Sequence, residues 1–374
     1  WCILWGIVIN ILIVGAGFSG AVVAHQLAKA GHKIDIIERR NHIGGNAYDY
    51  TNEYGIRIHK YGPHIFHTNN KNVYDWIKQF GEWVEYRHKV KALLRDGTYV
   101  TLPVNRETKR IVGEDNIIDT FYAPYTYKMW GKKIEELDPS ILRRVPIRDD
   151  DNEEYFPNDS FQVMPKHGYT KVFEMILDVD KINVKLSQPF DKTMEKDYDH
   201  IFNCMPIDEY FQFIYGQLPY RSIKFHHKTL PMPKVLPTSN VNFTNDGPFT
   251  RVTEWKNFPE HGKNDYVTTL TYEEPCDYKL NDYERYYPVK DVDGKNRIKY
   301  DSYKKLTKDN MTFIGRCGMY VYIDMHQAIN SALVTANKFL EKHKWKIWFI
   351  NIGKVILNLA LFTVPNSWKN MQIK

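Results

Sequence analysis

The sequence predicts an α/β protein, a parallel-sheet nucleotide domain that carries a helical insert and an antiparallel-sheet domain. Three observations predict it. The apolar run in "ILIVGAGFSG" ends in a glycine turn at Gly15, Gly17 and Gly20. A second strand, glycine loop and helix pattern returns late in the chain, in "NMTFIGRCGMYVYIDMHQAINSALVTANKFL". Between them lie short alternating runs bounded by turn residues, the pattern of antiparallel strands.

The 374 residues suffice for two or three domains. Hydrophobic and charged shares of 43% and 26% place the chain among ordinary globular proteins. The net charge of +6 is spread along the sequence. It suits an anionic small molecule, gathers into no basic patch, and so speaks against nucleic acid as a partner. The 26 tyrosines supply rings that stack on flat ligands. Cys2, Cys204, Cys276 and Cys317 lie far apart and form no CxxC. That leaves no zinc ribbon or disulfide framework, and no metal site is expected; a reducing cytoplasm fits.

The two ends are atypical. "WCILWGIVIN" has no basic flank or cleavage site, so it reads as the first strand preceded by stray residues and not as a signal peptide. "WKIWFINIGKVILNLALFTVP" (345–365) has the length of a membrane span, but Lys354, Asn351 and Asn358 interrupt its middle. A helix lying on a membrane surface or a partner, or an irregular tail over 343–374, are the remaining readings.

The glycine turn carries the first chemistry. After GxGxxG comes "AVVAHQLAKAG", with helical spacing, and then "HKIDIIE", a second strand closing on Glu38. Strand, turn, helix, strand and an acid about 20 residues on make the dinucleotide fingerprint. The first glycine forms the turn, the second lets backbone N–H groups approach a pyrophosphate, and the third lets helix pack on strand. The helix N-terminus favours the phosphate charge, and Glu38 accepts from a ribose diol. The following "RRNHIGGNAYDY" holds a second glycine pair that resembles the extended fingerprint of FAD-binding proteins. FAD is therefore the expected cofactor, held by Gly15, Gly17, Phe18, Ser19, Gly20, Glu38, Arg39, Gly45 and Asn46. The late glycine loop, with Arg316, Asp324 and Met325, is expected to close over it.

The rest of the chain fills in around this core. "NNKNVYDWIKQFG" reads as a helix, and "VKALLRDGTYVTLPV" as a hairpin turning at Asp96-Gly97. A mostly helical stretch from Arg106 carries "FYAPYTYKMWG", and residues 223–272 alternate as antiparallel strands. The expected FAD-binding domain is discontinuous, over 6–70, 195–222 and 309–342. Residues 105–150 form the helical insert, 82–104 with 223–300 the antiparallel sheet, and 343–374 the tail.

Six further motifs occur in order: "KYGPHIFHT" (60–68), "YTYKMWG" (125–131), "ILRRVPIR" (141–148), "FTRVTEW" (249–255), "YYPV" (286–289) and "YVYIDM" (320–325). With the fingerprint they make the chain closely resemble the bacterial UDP-galactopyranose mutases, over nearly all of its length except the two ends. The resemblance implies FAD that is active when reduced, with NADH or NADPH as electron donor. It also implies a reaction without net redox change. By that resemblance, reduced flavin N5 attacks the anomeric carbon of UDP-galactose and expels UDP; the sugar opens as a flavin iminium and recloses as the furanose. UDP then returns to the anomeric carbon and releases N5. The product would feed cell-surface glycans, and a cytoplasmic homodimer is expected.

Roles for further residues come from the same resemblance. Arg144 and Arg251 are the catalytic arginines facing the diphosphate, a task suited to the planar guanidinium fork. Arg143 and Arg148 stand close enough to Arg144 to blur that register. Tyr125 stacks on uracil, Trp130 meets the sugar, and Phe121, Tyr122 and Thr126 line the same pocket. Spacing alone equally fits a core stripe for Phe121, Tyr122 and Tyr125. Tyr155, Tyr287 and Tyr322 bond the phosphates, with Tyr286 an open alternative to Tyr287, and Asn242 touches the nucleotide. His67 senses the flavin N5 side, and His64 lies beside the flavin or is a satisfied structural histidine. A metal pair of His64 and His67 is disfavoured by Gly62-Pro63 and the lack of further ligands. His88 stands where some family members have Asn. Two competing readings are an FAD oxidoreductase of the amine-oxidase type and a non-catalytic nucleotide-sugar binder that keeps FAD for structure.

Overall fold

The computed structural model describes residues 8–136 and 147–362, with side chains as far as 343. The opening apolar run is the central strand, Asn10–Val14, of a five-stranded sheet. Its neighbours in order are Ile182–Lys185, Lys33–Ile37, this strand, His200–Asn203 and Met311–Phe313, all parallel. A parallel sheet is covered on both faces, so its middle strands read as unbroken apolar runs, and Ile11, Leu12 and Ile13 are wholly buried. The edge strand Ile182–Lys185 lies outside the segments expected for this domain. Its alternating half-buried pattern hid it, because an edge strand keeps one side in solvent.

The first helix, Phe18–Lys29, packs its small apolar face on this sheet and on the helix Met325–Phe362. Its entry is tight. A Cβ on Gly20 would stand 2.0 Å from the Gly15 carbonyl oxygen, so only glycine lets the helix begin there. Gly15 itself has φ +106°, a conformation that glycine adopts without strain.

The second sheet has seven strands in the order Tyr287–Pro288, Tyr220–Leu230, Thr268–Asp277, Arg251–Glu254, Asn240–Phe243, Val90–Leu93 and Tyr99–Leu102. It departs from the expected antiparallel pattern at one pair. Val90–Leu93 runs parallel to Asn240–Phe243, because the hairpin closed at Gly97 joins the sheet edge by its first strand. The helical region holds Arg106–Val112, a π-turn at Ile118–Tyr122 and the helix Ala123–Trp130, which stops at left-handed Gly131. Arg144, with its neighbours in "ILRRVP", lies outside the described residues. The helix Met325–Phe362 runs on into the C-terminal stretch, for which the sequence leaves both a helix and an irregular tail open. Among the described residues no helix is long and apolar enough to cross a membrane.

Candidate active site

Two cavities meet between the sheets. The first, about 330 Å³, is built around the glycine turn and is lined by Gly15, Gly17, Phe18, Ser19, Glu38, Arg39 and Gly45. Gly20 is absent from this wall; its work is the packing of helix on turn. The two glycine loops lie back to back, since a Cβ on Gly45 would stand 2.9 Å from Gly17 Cα. The helix N-terminus at Gly17 has no side-chain cap and no acid in its first turn. Its orphan N–H groups therefore suit an anionic ligand. Glu38 is buried at the end of its strand, where Oε2 accepts from Ala16 N (2.9 Å) and Oε1 from Arg40 N (3.0 Å). Each oxygen keeps a lone pair for a ligand hydroxyl. In the same wall Arg285 is buried with Nε unpartnered. Backbone donors, the Glu38 acceptor and arginines in the wall, Arg285 among them buried, suit a dinucleotide.

Arg39 is half exposed and pairs with Glu284 Oε2 (2.8 Å). The better-anchored neighbour, missed in the sequence, is Arg40. It pairs with the same oxygen (2.5 Å), donates from Nη1 to Asn46 Oδ1 (3.0 Å) and lies 4.2 Å over the Tyr61 ring. No local signal separates the two arginines; only burial does.

The second cavity, about 380 Å³, lies over the seven-stranded sheet. Register builds its floor. Ala92, Asn242, Arg251, Glu273 and Phe225 are successive cross-strand partners, and all five line the cavity. Glu273 is buried, and its Oε2 stands 2.8 Å from Arg251 Nε. The contact is an ion pair without hydrogen-bond alignment, so Arg251 Nε and Glu273 Oε1 remain buried and unbonded. Burial is the largest single influence and works against the Arg251 charge, but the Glu273 carboxylate together with Tyr125 and Tyr287 more than offsets it, and the guanidinium stays protonated. Asn242 Oδ1 is likewise buried without a hydrogen-bond partner. Such orphans in a cavity wall mark where a ligand's polar groups belong, a donor opposite the Asn242 and Glu273 oxygens and an acceptor opposite Arg251.

The opposite wall is the aromatic helix. Phe121, Tyr125 and Met129 recur at every fourth residue, as do Tyr122, Thr126 and Trp130, and all six line the cavity. Lys128 Nζ fastens the helix to the sheet by donating to the carbonyls of Phe243 and Phe249 (3.2 and 3.0 Å). Arg221 caps its end on Met129 O and Lys128 O (2.6 and 3.1 Å). Burial pushes the Tyr125 phenol up to about 12, so the ring stays neutral. Tyr155, Tyr286 and Tyr287 line this cavity too. Tyr287 stacks on Tyr322 with ring centroids 5.4 Å apart, and Arg316 lies over both rings. His88 is buried in the same wall and, by burial and then by Arg251, is pushed down to about 3.

Asn46, His64, Arg316, Asp324 and Met325 line both cavities, which makes them the junction. Arg316 holds it together, donating to Tyr286 O (2.9 Å) and Ile323 O (2.8 Å). The two histidines separate here. His64 stands at the junction, while His67 lines only the sheet-side cavity, with Nδ1 2.5 Å from Asp159 Oδ2 and its ring stacked on Phe156. The sequence held no sign of Asp159 as partner, nor of Glu273 opposite Arg251.

Comparison with known proteins gives consistent results. Residues 120–322 match the sequence profile of the family described as UDP-galactopyranose mutase, and residues 13–80 match an NAD(P)-binding Rossmann-like domain. A Klebsiella pneumoniae protein named "Probable UDP-galactopyranose mutase" is 36% identical over 88% of this chain and 94% of its own. The Escherichia coli dTDP-fucopyranose mutase is 33% identical over 90% of this chain and 99% of its own. Among solved structures, reduced UDP-galactopyranose mutase superposes with a TM-score of 0.68 at 16% identity, covering 90% of this chain and 94% of that one. The last likeness concerns the fold.

Proposed function

The chain belongs to the UDP-galactopyranose mutase family, and from that premise we propose that it interconverts UDP-galactopyranose and UDP-galactofuranose using bound, reduced FAD. One observation supports this most. A dinucleotide cradle opens, through a shared wall, into a second cavity floored by Arg251 and roofed by aromatic side chains.

FAD fits the residues present: the diphosphate on the uncapped N-terminus at Gly17, a ribose diol on Glu38, and the reactive ring toward the junction. When bound and reduced, the flavin supplies the nucleophile toward the anomeric carbon. The protein's share is binding and charge. Arg251 keeps its Nη groups for the diphosphate, while Glu273 fixes its Nε side and holds the fork in place. A preorganised cation stabilises the leaving group without reorganisation during reaction. Tyr125 stacks on uracil and Asn242 Oδ1 accepts from the nucleoside. Tyr155, Tyr287 and Tyr322 bond phosphate oxygens, and Trp130 shields the sugar from water. His64 donates from Nδ1 to Gly62 O (2.7 Å), which leaves Nε2 as an acceptor at the junction. His67, Arg144, the NAD(P)H donor, the cytoplasmic homodimer and the destination in cell-surface glycans rest on the family resemblance alone.

The amine-oxidase reading offers no reason for a buried arginine–glutamate pair under an aromatic helix. An anaerobic assay of UDP-galactofuranose conversion, with dithionite-reduced and oxidised protein side by side, tests the proposal. Turnover is expected with reduced protein only. Equal turnover by oxidised protein, or oxygen consumption on amines, would overturn it. A parallel arm with dTDP-fucopyranose measures how far the pocket prefers one pyrimidine nucleotide sugar.

Tyr125→Ala is expected to weaken UDP binding by roughly 10- to 100-fold, since base–aromatic stacking contributes ~1–3 kcal/mol. Calorimetric titration of UDP is the measurement. An unchanged dissociation constant would reduce Tyr125 to a packing residue.

A further inference from the structure

A chain of three hydrogen bonds runs from the protein interior to the cavity junction. The backbone N–H of His64 donates to His59 Nδ1 (3.0 Å). His59 Nε2 lies 3.0 Å from His261 Nε2, and His261 Nδ1 lies 2.7 Å from Pro259 O. Both rings are buried, His59 completely, among Tyr169, Trp255 and Phe258.

Only one proton arrangement satisfies this chain. A backbone amide can only donate, so His59 Nδ1 is bare and a neutral His59 carries its proton on Nε2. That proton points at His261 Nε2, which must therefore be bare. His261 then carries its proton on Nδ1, facing a carbonyl that can only accept. Burial lowers the basicity of both rings, His261 to about 4, so both are neutral near pH 7. Each donor meets an acceptor, and any tautomer shift would leave two buried groups facing one another unpaired.

The far end of the chain is where this matters. His64 follows the turn at Gly62, whose φ is +85°. A Cβ there would stand 2.9 Å from Phe225 and 3.3 Å from Glu273 Oε1, so the turn lies hard against the cavity floor. The amide bond to His59 and the ring bond to Gly62 O together fix where the His64 ring stands in the shared wall. We propose that His261, acting through His59, is a positioning residue that holds His64 at the junction of the cofactor and substrate cavities. The inference rests on the reading of those two cavities given above. His261 lines neither cavity and touches no ligand site.

The test uses the flavin-loaded full chain labelled with ¹⁵N-histidine, together with His261→Phe and His261→Gln. Long-range ¹⁵N–¹H spectra should show His59 protonated on Nε2 and His261 on Nδ1. His261→Phe removes the acceptor and should lower kcat about tenfold, within the range that small misplacements cost, while the UDP dissociation constant moves by less than about twofold. Its flavin absorption band should shift as the His64 wall relaxes. His261→Gln offers an amide oxygen to His59 and an amide N–H to Pro259 O, and should restore both. A His59 proton found on Nδ1 would overturn the proposal. So would a folded His261→Phe with wild-type kcat and flavin spectrum, or equal losses of kcat and UDP affinity in both variants. If His261→Phe does not fold, the tautomers and His261→Gln decide the matter. A wild-type protein without any mutase turnover would remove the functional reading, yet the tautomers and the flavin band would still test the relay.

Discussion

Arg251→Ala is expected to keep its yellow flavin and to lose turnover by ~10²–10³-fold, the range for removing one preorganised charge partner of a leaving group. The flavin should remain because Arg251 lines only the sheet-side cavity. The structure adds a complication that the motif alone would not reveal. Glu273 is 1% exposed and faces Arg251 across the register, so deleting the guanidinium leaves a buried carboxylate uncompensated. Breaking a buried pair this way costs about 3–5 kcal/mol, and here the lower end applies because Arg251 is itself 30% exposed. Lost activity in the single variant would thus mix lost chemistry with lost stability. The double variant Arg251→Ala/Glu273→Gln separates them. It should recover most of the melting temperature and none of the turnover. Wild-type turnover in the single variant, or restored turnover in the double variant, would mean that the diphosphate charge is handled elsewhere.

That pairing shows where sequence reasoning stops. Arg251 stands inside a legible motif, yet Glu273 lies in "YVTTLTYEE" with nothing local to single it out from Glu274. Its role exists only through the register that sets Asn242, Arg251 and Glu273 side by side. The glycine turn is different. Its geometry lies in backbone angles and short-range packing, which residue types at fixed spacing do encode, and so the place of Gly15, Gly17 and Glu38 around one cavity was readable. The aromatic helix sits between these cases. Its four-residue rows were legible, but whether they faced core or cavity was not, because they do both. Phe121 packs with Val90, Ala92 and Val104 in a buried cluster, and it also lines the cavity beside Tyr125. In "GPHIFH" the order of the histidines does not say which one reaches the junction. A turn at Gly62, whose carbonyl holds the His64 ring, and a partner as distant in sequence as Asp159 for His67 decide that.

Glu38→Ala is expected to bind FAD at least ten- to hundredfold more weakly, from a lost acceptor contributing about 1–3 kcal/mol. The loss should exceed what a missing ribose contact explains. The Glu38 carboxylate accepts from Ala16 N and Arg40 N, so it ties the glycine turn to the loop that carries Arg40, Gly44 and Asn46. Ala16 is wholly buried, and without the carboxylate its N–H has lost its acceptor in the interior. The two loops whose glycines touch at Gly17 and Gly45 would then drift apart, and the backbone cradle for the diphosphate with them. Glu38→Gln discriminates between the two contributions. Its amide oxygen can keep one of the backbone bonds, so the flavin-free protein should melt close to wild type while flavin affinity still falls. Fluorescence titration of apoprotein with FAD, alongside melting curves without it, measures both. Wild-type affinity in Glu38→Ala would remove Glu38 from the cofactor site. An affinity loss in Glu38→Ala that vanishes in Glu38→Gln would make it a bolt between loops and nothing more.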